Sequence, residues 1–373
     1  MSESSHSQLI ERVHASGCKC VISLTGGGSQ AMADLLGVPG ASATVLEAVV
    51  PYSSEALAEW LGGKFDHACS EPTARAMAMA AFERARKFSD ADATTLRGIG
   101  ATASLATTRP KRGPHRVHVA WQSAEATVSY SCELEKGQRT RAEEEAVVAG
   151  LLLCAVAESC GIVDAAPTES SVPEPVTRRE QHALAEWTEL LLGKRATVAY
   201  RIDHPMQIIF SGAFNPLHDG HRRMAAIAAA RYGAPVTMEL SIANVDKPTL
   251  DFLEIADRLA GLSDRPVLLT RAATFVEKAA LLPRTIFVVG ADTMARIGDV
   301  KYYDGSSEKR NAAIAAIAKQ GCRFLVFGRV VDGSFRTASN LGLPPSLRAL
   351  CEEVPESEFC EAKSSTELRT VSE

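Results

Sequence analysis

No stretch of this 373-residue chain approaches the ~20 consecutive apolar residues that a membrane-spanning helix requires. The opening MSESSHSQLIERVHASG lacks the charged-then-apolar layout of a secretory signal. No CxxC spacing occurs. The nine cysteines are scattered, with only Cys18 and Cys20 close together, so a zinc site is not expected and no metal ligands are assigned. An odd cysteine count without a secretory signal reads as reduced, buried thiols in a cytoplasmic protein. Excess positive charge is also missing: the net charge of −5 argues against a nucleic-acid partner. The expectation is a chain with neither a membrane nor a nucleic-acid partner, and self-association is left open.

What is present is enough apolar material for two ordinary cores, at 46% of residues. Composition breaks at residues 163–179, where three prolines mix with Ser, Thr and Glu. This divides the chain into a first domain at 1–163, a linker at 164–179, a bridging helix and lead-in at 180–204 and a second domain at 205–373. Leu184, Trp187, Leu190 and Leu191 share one face of the expected helix over 180–192. In the second domain apolar runs at 206–210, 236–242, 266–270, 285–290 and 323–327 alternate with helical patterns at 219–232, 251–262 and 275–281. That alternation predicts a Rossmann-like, doubly wound parallel sheet, whose ligands sit at the carboxyl ends of the strands. The first domain reads as α/β with more antiparallel character. Its strands are expected at 19–24, 43–50, 116–121 and 127–132, and its helices at 53–61, 71–88 and 140–159.

The segment Phe210-Ser-Gly-Ala-Phe-Asn-Pro-Leu-His-Asp-Gly-His221 leaves the first strand of the second domain and starts a helix. His218 and His221 are three apart, on one helix face. A helix start presents N–H groups and a positive dipole end to an anion, and Gly212 and Gly220 permit close backbone approach. Together they describe a polyphosphate cradle with two imidazole donors.

FNPLHDGH resembles the signature of the nucleotidylyltransferase superfamily, in particular the nicotinamide mononucleotide adenylyltransferases. The resemblance implies transfer of the adenylyl group of ATP to a mononucleotide phosphate, with Mg2+ carried mainly by water and substrate oxygens. It assigns Ser211, Gly212, Phe214, Asn215 and Gly220 to nucleotide binding, and His218 and His221 to the phosphates. Val288-Val-Gly-Ala-Asp-Thr293 resembles the family's segment lining the nucleotide pocket, through Gly290 and Asp292. Ser241-Ile-Ala-Asn-Val-Asp-Lys-Pro248 occupies the place of a polar loop that offers Lys247 as an electrostatic partner. Ser364-Ser-Thr-Glu-Leu-Arg369 resembles the carboxyl-terminal motif, with Ser364, Ser365 and Thr366 as donors and Arg369 as a fork for the β- and γ-phosphates.

In the first half Ile22-Ser-Leu-Thr-Gly-Gly27, Val38-Pro-Gly-Ala-Ser42 and Tyr52-Ser-Ser-Glu55 resemble the CinA carboxyl-terminal domain, a family that includes nicotinamide mononucleotide amidohydrolases. The resemblance places Ser23, Thr25 and Tyr52 at the hydrolase site. Ile22 stands where that family has an acidic residue, and Leu57 where it has a lysine. A serine nucleophile needs an adjacent base. The nearby His67 and Lys64 are not spaced to supply one, so a catalytically degenerate domain is expected. The sequence thus points to an ATP-dependent adenylyltransferase in NAD synthesis or salvage. Other acceptors remain open (phosphopantetheine, or alcohol phosphates charged with CTP), as do a bifunctional hydrolase–transferase and a non-catalytic nucleotide-binding regulator.

Overall fold

The computed structural model describes residues 3–108, 112–162, 164, 172, 174–331 and 334–360. The chain forms two compact units, Met1–Leu192 with Val245–Ile255, and Gly193–Asn244 with Ala256–Glu373.

The first unit contains α1 (Glu3–Ala15), β1 (Lys19–Thr25), α2 (Ser29–Gly37), α3 (Ala41–Thr44), β2 (Val45–Val49), α4 (Ser54–Trp60), α5 (Glu71–Phe88), β3 (Leu96–Ser104), β4 (His115–Gln122), β5 (Ala126–Leu134), α6 (Arg141–Ser159), β6 (Val176–His182) and α7 (Ala185–Leu191). Its sheet runs β2-β1-β3-β4-β5-β6. The first three strands are parallel and the remaining pairings antiparallel. Alternation along β1 sends Cys20, Ile22 and Leu24 into a core shared with α1, α2 and α6, while Ser23 points to the opposite face, where α5 lies. That second face is built for close approach. A Cβ on Gly98 would sit 2.0 Å from the Ala78 carbonyl oxygen, and one on Gly100 2.2 Å from that of Ala74. Hence α5 is alanine-rich where it crosses β3. It starts at a Ser70 cap with Pro72 in its first turn and ends on Arg86 and Lys87, in accord with its dipole.

Three expectations change here. Residues 176–182 form a strand paired with β5 rather than linker and helix, because their charged side chains suit an exposed sheet edge. The helix expected over 180–192 is confined to α7, although Trp187, Leu190 and Leu191 are buried as its pattern required. The run at 43–50 likewise divides into the end of α3 and β2.

The second unit contains β7 (Thr197–Tyr200), β8 (Ile208–Ser211), α8 (Asp219–Tyr232), β9 (Val236–Ser241), the end of α9 (Phe252–Gly261), β10 (Val267–Thr270), α10 (Phe275–Leu281), β11 (Ile286–Gly290), α11 (Ala291–Gly298), α12 (Ser307–Lys319), β12 (Arg323–Phe327), the small hairpin β13 (Arg329–Val331) and β14 (Ser334–Arg336), α13 (Pro345–Arg348) and β15 (Cys351–Val354). Its sheet order is β15-β12-β11-β8-β9-β10-β7. All pairings are parallel except that of β7. The chain moves outward through β8, β9 and β10, then returns to place β11 on the other side of β8. This is the doubly wound arrangement, with its switch point between β8 and β11. Phe287, Val289, Phe324 and Val326 pack with Ile314 and Ile317 of α12 in the core. Among the described residues no helix is long and apolar enough to cross a membrane.

Candidate nucleotide site

The carboxyl ends of β8 and β11 flank the switch point, and both carry predicted site segments. After Ser211 the backbone turns through Gly212. A Cβ there would stand 2.7 Å from the Phe214 ring, so only glycine lets that ring fold back over the strand end. Phe214 itself takes a left-handed conformation (φ 47°), and the Asn215–Pro216 peptide is cis. Its ring is buried, 5.2 Å from both Phe210 and His221, edge-on to each. This aromatic wedge fixes the start of α8.

His218 occupies the cap position of α8, and His221 lies in its first turn. Their rings stack with centroids 3.7 Å apart. The His218 backbone N–H donates to His221 Nδ1 at 3.3 Å. Burial, followed by the charge of His218, lowers the His221 pKa to about 4. At neutral pH His221 is therefore uncharged, and with Nδ1 accepting, its proton resides on Nε2. The result is one oriented N–H donor beside a second imidazole at the positive end of a helix. Gly220 is buried between them in sequence.

On the neighbouring strand Gly290 caps α11 with open space where a Cβ would stand. Asp292 projects from the first turn of α11 and pairs with Arg329 at 2.5 Å. Gly290 and Asp292 thus sit at the end of the strand beside β8. Ser211 Oγ is buried and finds no hydrogen-bond partner among the described residues. Lys247 is exposed, and its segment belongs to the first compact unit, not to the one carrying the histidines. Ser364, Ser365, Thr366 and Arg369 lie outside the described residues. The described chain approaches its end on the carboxyl edge of the sheet. Phe359 is buried against Phe327, the last residue of β12 (5.1 Å), and beneath the Arg223 guanidinium of α8 (5.3 Å).

Four residues near the turn escaped the sequence reading. Glu239 lies opposite Ser211 in the sheet and is fully buried. It accepts from Thr270 Oγ1 and Lys278 Nζ, both at 2.6 Å, while its carbonyl accepts from the Gly212 N–H at 3.1 Å. A carboxylate within the apolar strand Thr-Met-Glu-Leu was the available signal. Arg258 of α9 donates to the Ala213 carbonyl at 3.2 Å and so ties the turn from the other side.

The corresponding turn of the first unit is differently furnished. Ser23 is fully buried, with its Oγ 3.2 Å from the Ile99 carbonyl and 3.4 Å from that of Met77. Thr25 is also buried, whereas Tyr52 is 65% exposed. Ile22 is in the core, and Leu57 is buried in an apolar cluster with Leu61 and Met77. At the start of α2 the Glu145 carboxylate accepts from the N–H groups of Gly28 (2.8 Å) and Ser29 (2.7 Å) and from the Ser29 hydroxyl (2.9 Å). Arg141 closes the loop on the Gly26 carbonyl at 2.7 Å.

Comparison with known proteins agrees with both halves. Residues 3–160 match the CinA C-terminal domain family, and residues 209–371 match the cytidylyltransferase-like family. The chain therefore joins a CinA C-terminal domain to a cytidylyltransferase-like domain, and the second makes it a nucleotidyltransferase. A Schizosaccharomyces pombe protein named "Putative nicotinamide mononucleotide adenylyltransferase" is 28% identical over 195 residues, covering 48% of this chain and 74% of that protein. Among solved structures, the competence/damage inducible protein CihA of Agrobacterium tumefaciens matches 43% of this chain and 94% of its own at 20% identity, with a TM-score of 0.31. A CinA superfamily protein of Escherichia coli matches 44% and 92% at 17% identity, with a TM-score of 0.30.

Proposed function

We propose that the chain is a cytoplasmic, ATP-dependent adenylyltransferase that joins nicotinamide or nicotinate mononucleotide to AMP with release of pyrophosphate, in NAD synthesis or salvage. The observation that carries this reading is the stacked imidazole pair at the start of α8, held at the switch point of a doubly wound sheet. In-line attack of a mononucleotide phosphate on the α-phosphate of ATP needs positioning and charge stabilisation more than a covalent nucleophile. His221 supplies a fixed Nε2–H, His218 a second imidazole, and the α8 amides a positive field where charge gathers on the leaving pyrophosphate. Ser211, Gly212, Phe214, Asn215, Gly220, Gly290 and Asp292 line the nucleotide side in this reading. In this reading Arg369, with its neighbours Ser364, Ser365 and Thr366, contacts the phosphates, while Lys247, placed in the other unit, is not assigned to them.

Among the described residues no three His, Cys, Asp or Glu gather to hold a metal. In this reading magnesium is carried on the triphosphate itself, where it would neutralise charge on the phosphate oxygens. The name of the Schizosaccharomyces pombe relative supports the choice of acceptor. In the first domain, burial of Ser23 and replacement of the expected lysine by a core leucine, Leu57, support loss of hydrolase chemistry. The test is pyrophosphate release from ATP or CTP with the two pyridine mononucleotides, phosphopantetheine and alcohol phosphates as acceptors. Turnover confined to ATP with a pyridine mononucleotide is expected. Preference for CTP or for a different acceptor would overturn the assignment.

A further inference from the structure

Gly290, the last residue of β11, is the register partner of Phe327, the last residue of β12. Two residues beyond these strand ends stand Asp292 and Arg329, joined by an ion pair of Arg329 Nη1 with Asp292 Oδ2 at 2.5 Å. Asp292 lies on the nucleotide side in the proposed function, which gives Arg329 no role. Arg329 opens the β13–β14 hairpin, and the base of that hairpin is firmly seated. A Cβ on Gly328 would fall 2.2 Å from the Phe335 ring, so the ring closes over the glycine. Asn340 Nδ2 donates to the Phe335 carbonyl at 2.9 Å, and Asn340 Oδ1 accepts from the Thr337 N–H at 2.8 Å.

The Arg329 and Asp292 side chains are 31% and 59% exposed, so their pairing is screened by water and adds little stability. Its effect is geometric. A carboxylate in the first turn of an exposed helix samples several rotamers, and a planar guanidinium that grips one oxygen selects among them. Arg336 stands directly opposite Arg329 in the ribbon, so the two cations share a face. Like charges so placed repel, which favours turning Arg329 toward the carboxylate. With Oδ2 engaged, Oδ1 is the oxygen left to accept from a ligand at the end of β11, where Gly290 leaves open space. A carboxylate oxygen accepts from a hydroxyl and repels a phosphate, so the matching part of a nucleotide is its sugar.

We propose that Arg329 is a positioning residue for nucleotide binding: it holds the Asp292 carboxylate so that Oδ1 accepts from the ribose hydroxyls, and thereby makes the site select ribonucleotides over dideoxynucleotides. This rests on the reading that puts Asp292 on the nucleotide side, and not on the choice of base or acceptor. The cation acts through the carboxylate rather than on the triphosphate. A nucleotide without the hydroxyls leaves the carboxylate unmet, which is why a site built to bond a hydroxyl rejects an analogue lacking it.

The test is calorimetric titration of the full chain with ATP and with 2′,3′-dideoxyATP, each with magnesium and without acceptor. The wild type should bind ATP ~10–100-fold more tightly, the scale of a hydrogen bond to a charged partner. Arg329→Met should cut that ratio several-fold, chiefly by weakening ATP, with thermal unfolding unmoved because the pair is exposed. Arg329→Lys should restore part of the ratio. Asp292→Ala should abolish it, and adding Arg329→Met to Asp292→Ala should weaken ATP no further. In steady-state turnover the loss from Arg329→Met should fall on KM for ATP more than on kcat. An unchanged ratio in Arg329→Met, equal weakening of both nucleotides, or losses that multiply in the double variant would overturn the proposal, as would a wild type that binds both sugar forms alike or neither. The same titrations with CTP and 2′,3′-dideoxyCTP separate this inference from the proposed function. A preference for CTP with the same dependence on Arg329 would sink the adenylyl reading and leave the role of Arg329 standing.

Discussion

The two strand-to-helix turns at β1 and β8 begin from similar material: a buried strand, glycines, and a helix whose first amides need a partner. In the first unit that need is met internally, since Glu145 lies on the amides of Gly28 and Ser29 and Arg141 on the Gly26 carbonyl. In the second unit the helix start is faced by two imidazoles, one of them kept neutral by burial. A carboxylate seated on a helix N-terminus satisfies the same amides that would otherwise attract a phosphate. A neutral N–H donor such as His221 leaves the field of the helix available. The same local architecture is thus closed on itself in one domain and, in the proposed reading, left open to an anion in the other, and the side chains, not the backbone, make the difference.

Removing the donor that defines the cradle should have the largest effect. His221→Ala is expected to reduce turnover by ~100-fold or more with the fold intact, as for loss of a preorganised donor to a transition state. Steady-state rates alongside circular dichroism measure this, and near-native turnover would erase the contrast between the turns. Acid should act on the same residue. A histidine whose folded pKa lies near 4 binds its proton more weakly folded than unfolded. Its contribution is complete above about pH 6.5 and fades as pH falls toward 4, a loss on the order of 3 kcal/mol if His221 acts alone. Urea titrations from pH 7 to 4, compared with His221→Ala, isolate this slope.

A smaller effect is expected at the first turn. Glu145→Gln weakens charge-assisted bonds to two amides and a hydroxyl and should cost about 1–2 kcal/mol in denaturant unfolding, with transferase rates unchanged. Smallest is Ser23→Ala, which removes a buried hydroxyl and should cost roughly 1 kcal/mol. Ammonia release from nicotinamide mononucleotide should be undetectable in the parent and the variant alike. Steady release by the parent that vanishes in Ser23→Ala would show an active hydrolase instead.

The alternation of the second domain was legible because β8, β9, β11 and β12 are dense in branched and aromatic residues, and its signature segment fell at a strand end as expected. β3 was not read as a strand. Leu-Arg-Gly-Ile-Gly-Ala-Thr-Ala-Ser is depleted in large residues because α5 presses against it, so tertiary fit overrode strand propensity. β6 was hidden for the opposite reason, being charged along an exposed edge. Leu57 and Ile22 could be read as departures from a hydrolase pattern, and the structure gives them apolar neighbours. The capping role of Glu145, the tie from Arg258 and the allegiance of residues 245–255 to the first unit depend on partners far away in sequence, which no local pattern encodes.

The buried Glu239–Lys278 pair beneath the signature turn has a consequence for how this protein can change over generations. Replacing either member alone strands the other's charge in a dry interior, at a cost of roughly 3–5 kcal/mol, whereas exchanging both for apolar residues of similar volume is close to neutral. Neither position can drift by itself. Descendants should carry both ionic partners or neither, and a lineage holding only one would be expected to show repacking around Thr270.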